Sequence, residues 1–518
     1  MISDEKKKEL QDFYITNCWK NETFGDMLKR ISKKYGEKTA LKDAFYSISF
    51  KEWDILSDKG AAYFFNEGFR SGDKVIIQMP NSVAFLVISF SLFKLGVVPV
   101  FALPAHRERE ISAFISKTNA KAYITAEKHL GYAYKEIGDK CTCKVYYEET
   151  IFENIRNTEF FSIVSQNKHT DTAVLLVSGG TTGIPKLIPR THADYLYDAE
   201  KFAEVLKMDS NTVFLAAIPV AHNFTFANPG VIGTALFGGK TVFSRNGSAD
   251  EILDLIRSEN ITITALVPSL LELCSEMASW EDEPFTSLKT VMAGGSVLMK
   301  SAIEKAEKYL SCKVRQVFGT AEGLNTITPE DMKSDIVANC QGNPISEFDE
   351  ALIMAENGEI LPNGSEGELI IRGPYTIRNY YNNQEADNEA FLENGFYRTG
   401  DRAYIDENGL HVCGRVREQI NRAGEKIMPK ELDELLKLHE NISDATVIGI
   451  PDKMLGNKIC ACIVFEGKEL SLAEIRDFML SKGLAEYKLP DCIMSVETMP
   501  LTAVGKIDKK VLLKRYEE

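Results

Sequence analysis

The 518 residues are enough for two to four structural units and for a core of useful size. A content of 44% hydrophobic and 26% charged residues is that of an ordinary soluble globular enzyme. A net charge of −15 argues against a nucleic-acid partner, which needs a basic face, but leaves room for an anionic ligand held by local lysines and arginines.

The N-terminus, "MISDEKKKELQDFY", is charged and has no apolar core, so no secretory signal is expected and the cytoplasm is the expected location. "DKVIIQM" reads as a strand. "NSVAFLVISFSLFKLG" follows as a helix, with Asn81 or Ser82 as N-cap and Gly96 as its stop, and "VVPVFAL" is the next strand. Within this βαβ unit, Val83 to Pro104 is the most membrane-like stretch of the chain. Lys94, Gly96, Pro99 and Pro104 interrupt it, so it reads as a buried helix and a buried strand, with no membrane span. The alternation recurs at "TVFLAAIPV", "KTVFS", "ADEILDLIRSEN" and "ITITALV", which gives an α/β class with mostly parallel sheets.

After about residue 345 turn signals crowd in, and short strands such as "GELIIRG" and "AYIDENGLHVCGRV" lie between them. Asn408-Gly409 is a hairpin signal, and a small antiparallel or barrel-like region is expected. Beyond Gln419 a helix, two strands and a helix ("PKELDELLKLHENI", "DATVIGIP", "KICACIVFE", "SLAEIRDFMLSKG") read as an α+β domain of about 100 residues, joined near "GRVREQI". The ten cysteines form no C-x-x-C pair. Cys141/Cys143 and Cys460/Cys462 would each share one face of a strand, as reduced core residues.

One loop carries the chemistry. "LLVSGGTTGIPKLIPRTH" places Ser178, Gly179, Gly180, Thr181, Thr182, Gly183 and Lys186 directly after an apolar strand. A Walker A loop needs Gly next to Lys and a helix starting at once. Here Ile184 and Pro185 intervene, "LIPRT" is extended in character, and a helix begins only near Ala193, which disfavours a P-loop NTPase. Phosphate can still be held, by backbone N–H groups that glycine leaves open, by hydroxyl donors, and by the Lys186 charge.

"SGGTTGIPK" resembles the phosphate-binding signature of the adenylate-forming superfamily, which includes acyl-CoA ligases, luciferases and peptide-synthetase adenylation domains. The extended form is similar to the stand-alone aryl acid AMP ligases of siderophore synthesis, and the 2,3-dihydroxybenzoate–AMP ligases are nearest in pattern. The resemblance runs over essentially the whole chain, through "PVAHNFTFANPGVIGTALFGG", "VFGTAEG", "YRTGD", "GRVREQINRAGEKI" and "PLTAVGKIDKK". It implies a large N-terminal core of stacked α/β sheets with a small β-barrel-like subdomain over residues 1–416. It also implies a small mobile α+β lid over 417–518, hinged near Arg417.

The implied reaction has two halves. A carboxylate attacks the α-phosphate of ATP, releasing pyrophosphate, and a thiol then displaces AMP from the acyl-adenylate. Such chemistry needs in-line positioning and charge neutralisation more than covalent help. By resemblance, Ser178 to Lys186 wrap the β- and γ-phosphates, Glu322 holds Mg²⁺, and Thr320 contacts phosphate beside it. Phe318, Gly319, Gly294 and Gly295 line the nucleotide site, with Gly295 also on the acyl side. Asp401 accepts from the ribose hydroxyls and Arg415 reaches the ribose or α-phosphate. Lys506 bridges the carboxylate and α-phosphate, and His222 joins Lys506 and Glu322 as a catalytic residue.

His222-Asn223 matches the aryl-ligase pair in which the Asn orients an ortho-hydroxyl. Three pocket positions depart from the dihydroxybenzoate pattern: Phe224 for Tyr, Asn228 for Ser and Asn325 for Val. Salicylate, another hydroxybenzoate or a hydroxylated pyridine carboxylate therefore stand beside 2,3-dihydroxybenzoate as substrates. The acceptor is a phosphopantetheinylated aryl carrier protein, separate because the chain leaves no room for one, or else CoA, which would make the chain an aryl- or acyl-CoA ligase. A non-catalytic binding protein on this fold is the alternative of another class, and the retained Lys186, Glu322, Asp401, Arg415 and Lys506 argue against it.

Overall fold

The computed structural model describes residues 2–160, 167–178, 186–296, 298–416, 420–422, 425–452, 455–482, 484, 488–502 and 505–517. The chain forms two compact units. One holds residues 1–351, 370–397 and 407–410, and the other 352–369, 398–406 and 411–518.

The first unit contains two large, mostly parallel sheets. The nine-stranded sheet runs in spatial order Asn343–Pro344, Gly323–Ile327, Lys313–Thr320, Thr290–Gly294, Ile263–Leu266, Val213–Ala216, Lys240–Phe243, Thr39–Lys42 and Ser47–Ser49. The six-stranded sheet runs Leu187–Thr191, Thr172–Val177, Val98–Phe101, Lys74–Gln78, Ala122–Thr125 and Lys144–Tyr147. The parallel strands are near-continuous apolar runs because helices cover them.

Helix Val83–Leu95 shows how local signals set the elements. Ser82 caps it, its side chain accepting from Phe85 N–H, and Gly96 ends it at φ 79°, a left-handed conformation glycine adopts without a Cβ clash. Every residue of the helix except Lys94 is buried. Lys94 is paired with Asp54 and Asp58, at 2.5 and 2.6 Å. Asn81, the other candidate cap, has a different task. Its Nδ2 donates to the carbonyls of Ala216, Ile218 and Ser244 at 3.1–3.2 Å, and its Oδ1 accepts from Val220 N–H. It thereby fixes the loop that leads to His222.

The second unit holds most residues of a four-stranded sheet, ordered Glu350–Met354, Gly367–Arg372, Tyr397–Asp406 and Gly409–Arg415. It also holds a sheet in which Ile442–Asp452 and Gly456–Phe465 form a long antiparallel pair. Cys492–Ser495 joins that pair in parallel, an element the sequence reading lacked. Two cores lie on this sheet. Ile427, Leu432, Val447 and Met479 belong to one, and Ile448, Cys460, Cys462 and Leu512 to the other. Cys460 and Cys462 thus share a strand face as expected. Cys141 and Cys143 do not, because they precede the strand Lys144–Tyr147. All ten cysteines are free thiols. No described helix is long and apolar enough to cross a membrane.

Candidate active site

The glycine-rich segment lies in sequence between two paired strands. Thr172–Val177 and Leu187–Thr191 pair antiparallel, and the following helix starts only at His192. Ser178 N–H donates to the Lys186 carbonyl and Lys186 N–H to Ser178 Oγ, both at 2.9 Å, so the two ends of the loop are pinned together. Gly179, Gly180, Thr181, Thr182 and Gly183 lie outside the described residues, as does Arg417.

Lys186 Nζ lies 4.6 Å from the centroid of the Tyr380 ring. The Tyr380 hydroxyl donates to Glu322 Oε1 at 2.9 Å and pairs with the Tyr397 hydroxyl at 3.0 Å. Burial pushes the Tyr380 hydroxyl far above its ordinary range, and the Glu322 charge adds to the shift, so it remains a donor. One tyrosine therefore connects the loop lysine to the "FGTAEG" carboxylate. Glu322 sits in the turn between Lys313–Thr320 and Gly323–Ile327, where the Thr320 hydroxyl donates to the Gly323 carbonyl at 2.6 Å. Only glycine fits at 323: φ is 143° and a Cβ would approach Thr376 Cα to 2.6 Å. Phe318 and Gly319 belong to the same strand as Thr320. Gly294 ends the neighbouring strand, and Gly295 follows at φ 91° with open space where a Cβ would lie.

A second group is built from buried amides. His222 caps the short helix Asn223–Phe226, its Nδ1 accepting from Phe224 N–H at 3.2 Å, while its ring stays exposed. Asn223, Asn228 and Asn325 are 7%, 3% and 1% exposed, and Phe224 is buried beside them in sequence. The Tyr195 hydroxyl donates to Asn223 Oδ1 at 2.5 Å, and Asn325 Nδ2 donates to Asp198 Oδ1 at 2.7 Å. Asp198 in turn accepts from Arg190 Nη2 at 3.2 Å, and Arg190 is fully buried. Burial pushes the Asp198 carboxyl up to about 7 despite the opposing pull of Arg190.

In the second unit, Arg415 Nη1 donates to Asp401 Oδ1 at 2.8 Å and to the Thr399 carbonyl at 2.9 Å. Asp401 N–H donates to Thr399 Oγ1 within the strand Tyr397–Asp406. Burial raises the Asp401 pKa, while Arg415 and the charge of Lys506 oppose that shift. Lys506 is exposed, on a turn where Thr502 N–H donates to the Lys506 carbonyl and Gly505 has φ 77°.

Lys186 and Glu322 are therefore brought together, as are Asn223, Asn228 and Asn325, and so are Asp401, Arg415 and Lys506. Sequence reading missed Tyr380, Asp198, Tyr195 and Arg190. Tyr380 stands in the unremarked run "RNYYNN", and Asp198 looks like one more helix-surface carboxylate.

A glycine-rich segment with pinned ends beside a carboxylate, in a unit of two mostly parallel sheets, suits a nucleotide-handling enzyme of the adenylating kind. Residues 28–381 match the AMP-binding enzyme family and residues 431–506 the AMP-binding enzyme C-terminal domain, and the chain belongs to this family. It is 38% identical to a 2,3-dihydroxybenzoate-AMP ligase of Bacillus subtilis, over 98% of this chain and 97% of the other. It is 33% identical to a salicyl-AMP ligase / salicyl-S-ArCP synthetase of Mycobacterium tuberculosis, over 96% and 91%. Among solved structures, apo MbtA of Mycobacterium smegmatis superposes with a TM-score of 0.75 at 34% identity, covering 98% of each chain.

Proposed function

We propose that this ligase activates a hydroxylated aromatic carboxylic acid with ATP and passes the acyl group to the phosphopantetheine thiol of a separate aryl carrier protein, in siderophore or nonribosomal peptide synthesis. The relatives' names supply the aryl class. The observation that carries the adenylating site is the bridge from Lys186 through Tyr380 to Glu322 beside the glycine-rich segment.

In the first half-reaction a carboxylate oxygen attacks the α-phosphorus and pyrophosphate leaves. Lys186 and the loop amides hold the leaving phosphates, and Lys506 stabilises charge between carboxylate and α-phosphate. Asp401 accepts from the ribose, with Arg415 beside it. A single tyrosine-oriented carboxylate fits Mg²⁺, which keeps most of its shell for water and substrate phosphates. No group of three or more metal-ligating side chains occurs among the described residues. Bound there, the ion neutralises phosphate charge. Asn223 takes the ortho-hydroxyl of the acid, and Phe224, Asn228, Gly295 and Asn325 complete the acyl pocket.

In the second half-reaction the thiol attacks the carbonyl and AMP leaves. Residues 1–416 are assigned to the adenylating core and 417–518 to a lid domain, with the hinge near Arg417. The enzyme works in the cytoplasm. Acid-dependent ATP–pyrophosphate exchange across salicylate, mono- and dihydroxybenzoates, hydroxypicolinates and an aliphatic acid tests the first half. Strong exchange with one ortho-hydroxylated aromatic acid is expected, and exchange confined to the aliphatic acid refutes the aryl reading. Acyl transfer to a phosphopantetheinylated carrier, measured against free CoA, decides the acceptor.

A further inference from the structure

Behind Asn223 lies a chain of buried polar groups in which each member fixes the orientation of the next. It starts at Arg190, which donates to Asp194 Oδ1 at 2.9 Å, to Asp198 Oδ2 at 3.2 Å and to the Ala321 carbonyl at 3.3 Å. Its side chain and that of Asp198 are both inaccessible to solvent. An ionised Asp198 has no proton to give, so every amide that meets it must turn its nitrogen toward it. Asn325 does so at 2.7 Å.

Asn228 has two amide orientations. In one, its Nδ2 donates to Asn325 Oδ1 at 2.8 Å. In the other, its Nδ2 donates to Asp198 Oδ2 at 3.0 Å and to the Ala227 carbonyl at 3.1 Å, and its oxygen accepts from Asn223 Nδ2 at 2.7 Å and from Asn325 Nδ2 at 3.1 Å, while standing 2.8 Å from Asn325 Oδ1. The first orientation sets the Asn228 oxygen against a carboxylate and its nitrogen against the Asn223 nitrogen. Two like groups facing each other in a buried site are costly. The second orientation has one like contact of its own, with Asn325 Oδ1, but that pair is neutral and the Asn325 N–H at 3.1 Å relieves it, whereas the first leaves an amide oxygen against a carboxylate; the charge of Asp198 therefore selects the second orientation. The Asn228 oxygen then holds the Asn223 nitrogen, while the Tyr195 hydroxyl holds the Asn223 oxygen at 2.5 Å.

We propose that Asp198 is the positioning residue for acid selection: held by Arg190, it sets the Asn228 amide and through it the Asn223 amide. The inference rests on the reading that Asn223 faces the ortho-hydroxyl of an aromatic acid. One N–H of Asn223 is used by Asn228, one lone pair of its oxygen is used by Tyr195, and the remaining N–H and lone pair are left in fixed directions for the ligand. A site built to hydrogen-bond a hydroxyl discriminates strongly against the analogue that lacks it, provided the amide cannot turn to compensate. Asp198 removes that freedom without touching the acid.

The test is ATP–pyrophosphate exchange at pH 8, comparing salicylate with benzoate, in the wild type and in Asp198→Asn and Asn228→Ala. Asp198→Asn can offer either an N–H or an oxygen to Asn228, so the orientation is no longer dictated, while Arg190 keeps Asp194 as its ionic partner. Asn228→Ala removes the amide and cuts the chain without altering the Arg190–Asp198 pair. In both variants the preference for salicylate over benzoate falls at least ~10-fold, through a raised KM for salicylate, with KM for ATP unchanged. A purely structural role would lower exchange with both acids alike, so a wild-type ratio in both variants overturns the proposal at any level of residual activity. A wild type that activates neither aromatic acid in the full panel overturns the aryl-ligase reading itself, and the proposal with it. A wild type that activates both acids without preference leaves the ligase reading standing and overturns the proposal alone.

Discussion

The two regions proposed to hold the phosphates and the acid are built in opposite ways. The first is one continuous glycine-rich segment whose ends, Ser178 and Lys186, are joined by two hydrogen bonds. The second works through side chains from separate segments. Arg190, Asp198, Asn223, Asn228 and Asn325 converge on a few ångströms of buried space, and the bond from Asn325 to Asp198 joins positions 127 residues apart. A continuous segment of small residues reads as a motif. A side-chain network can be rebuilt one residue at a time, and substrate choice can change there without disturbing the handling of ATP.

The largest effect that can break this division is at Lys506. Replacing it with Ala should lower ATP–pyrophosphate exchange by ~10²–10³, in the range found when a single donor to developing negative charge is removed. The lysine is exposed on its turn, so thermal unfolding should stay as in the wild type. The loss should be the same for every acid in the panel. A loss that depends strongly on the acid would place Lys506 on the selective side and blur the comparison.

Tyr380→Phe should have a smaller effect. It removes the hydroxyl that donates to Glu322 and keeps the ring beneath Lys186. A hydrogen bond to a charged group is worth about 1.5–3 kcal/mol, so exchange should fall roughly 10- to 100-fold. The Mg²⁺ concentration needed for half-maximal rate should rise, because the carboxylate loses its orienting partner. The ratio between salicylate and benzoate should not move, in contrast to the Asp198 and Asn228 variants.

This contrast also explains what the sequence disclosed. Ser82 and Gly96 bracket a helix through signals that act within one turn, and "LIPRT" was extended because Pro189 and β-branched residues favour a strand before the cap at Thr191. The glycine-rich segment after Val177 stood out for the same reason. Asp198 was not, since an aspartate in "YLYDAEKF" ordinarily faces water, and only the fold brings Arg190 and Asn325 against it. The strand Cys492–Ser495 escaped because four residues carry too little pattern without the parallel partner that holds them. Tyr380 escaped because an aromatic next to a second one reads as packing.

The smallest predicted effect on activity separates buried charge as such from buried charge with a positional task. Glu148 shares the environment of Asp198 in one respect: burial pushes its carboxyl up to about 7. It has only the Ser82 hydroxyl, donating to Oε1 at 2.6 Å, and its Oε2 has no partner among the described residues. The folded protein keeps the Glu148 proton up to about pH 7, whereas the unfolded chain gives it up near the ordinary value of 4.5. Between those values the folded state binds more protons, so Glu148 makes stability fall as pH rises, and the penalty is complete above 7. Glu148→Gln keeps the shape and the acceptor for Ser82 and removes the charge. At pH 8 it should be more stable than the wild type by about 1–3 kcal/mol in urea unfolding, with the difference vanishing toward pH 4.5. Its exchange rate and its salicylate-to-benzoate ratio should match the wild type. If removing this carboxylate also shifted the ratio, selection would follow from buried charge anywhere in the first unit, and the amide chain behind Asn223 would lose its special standing.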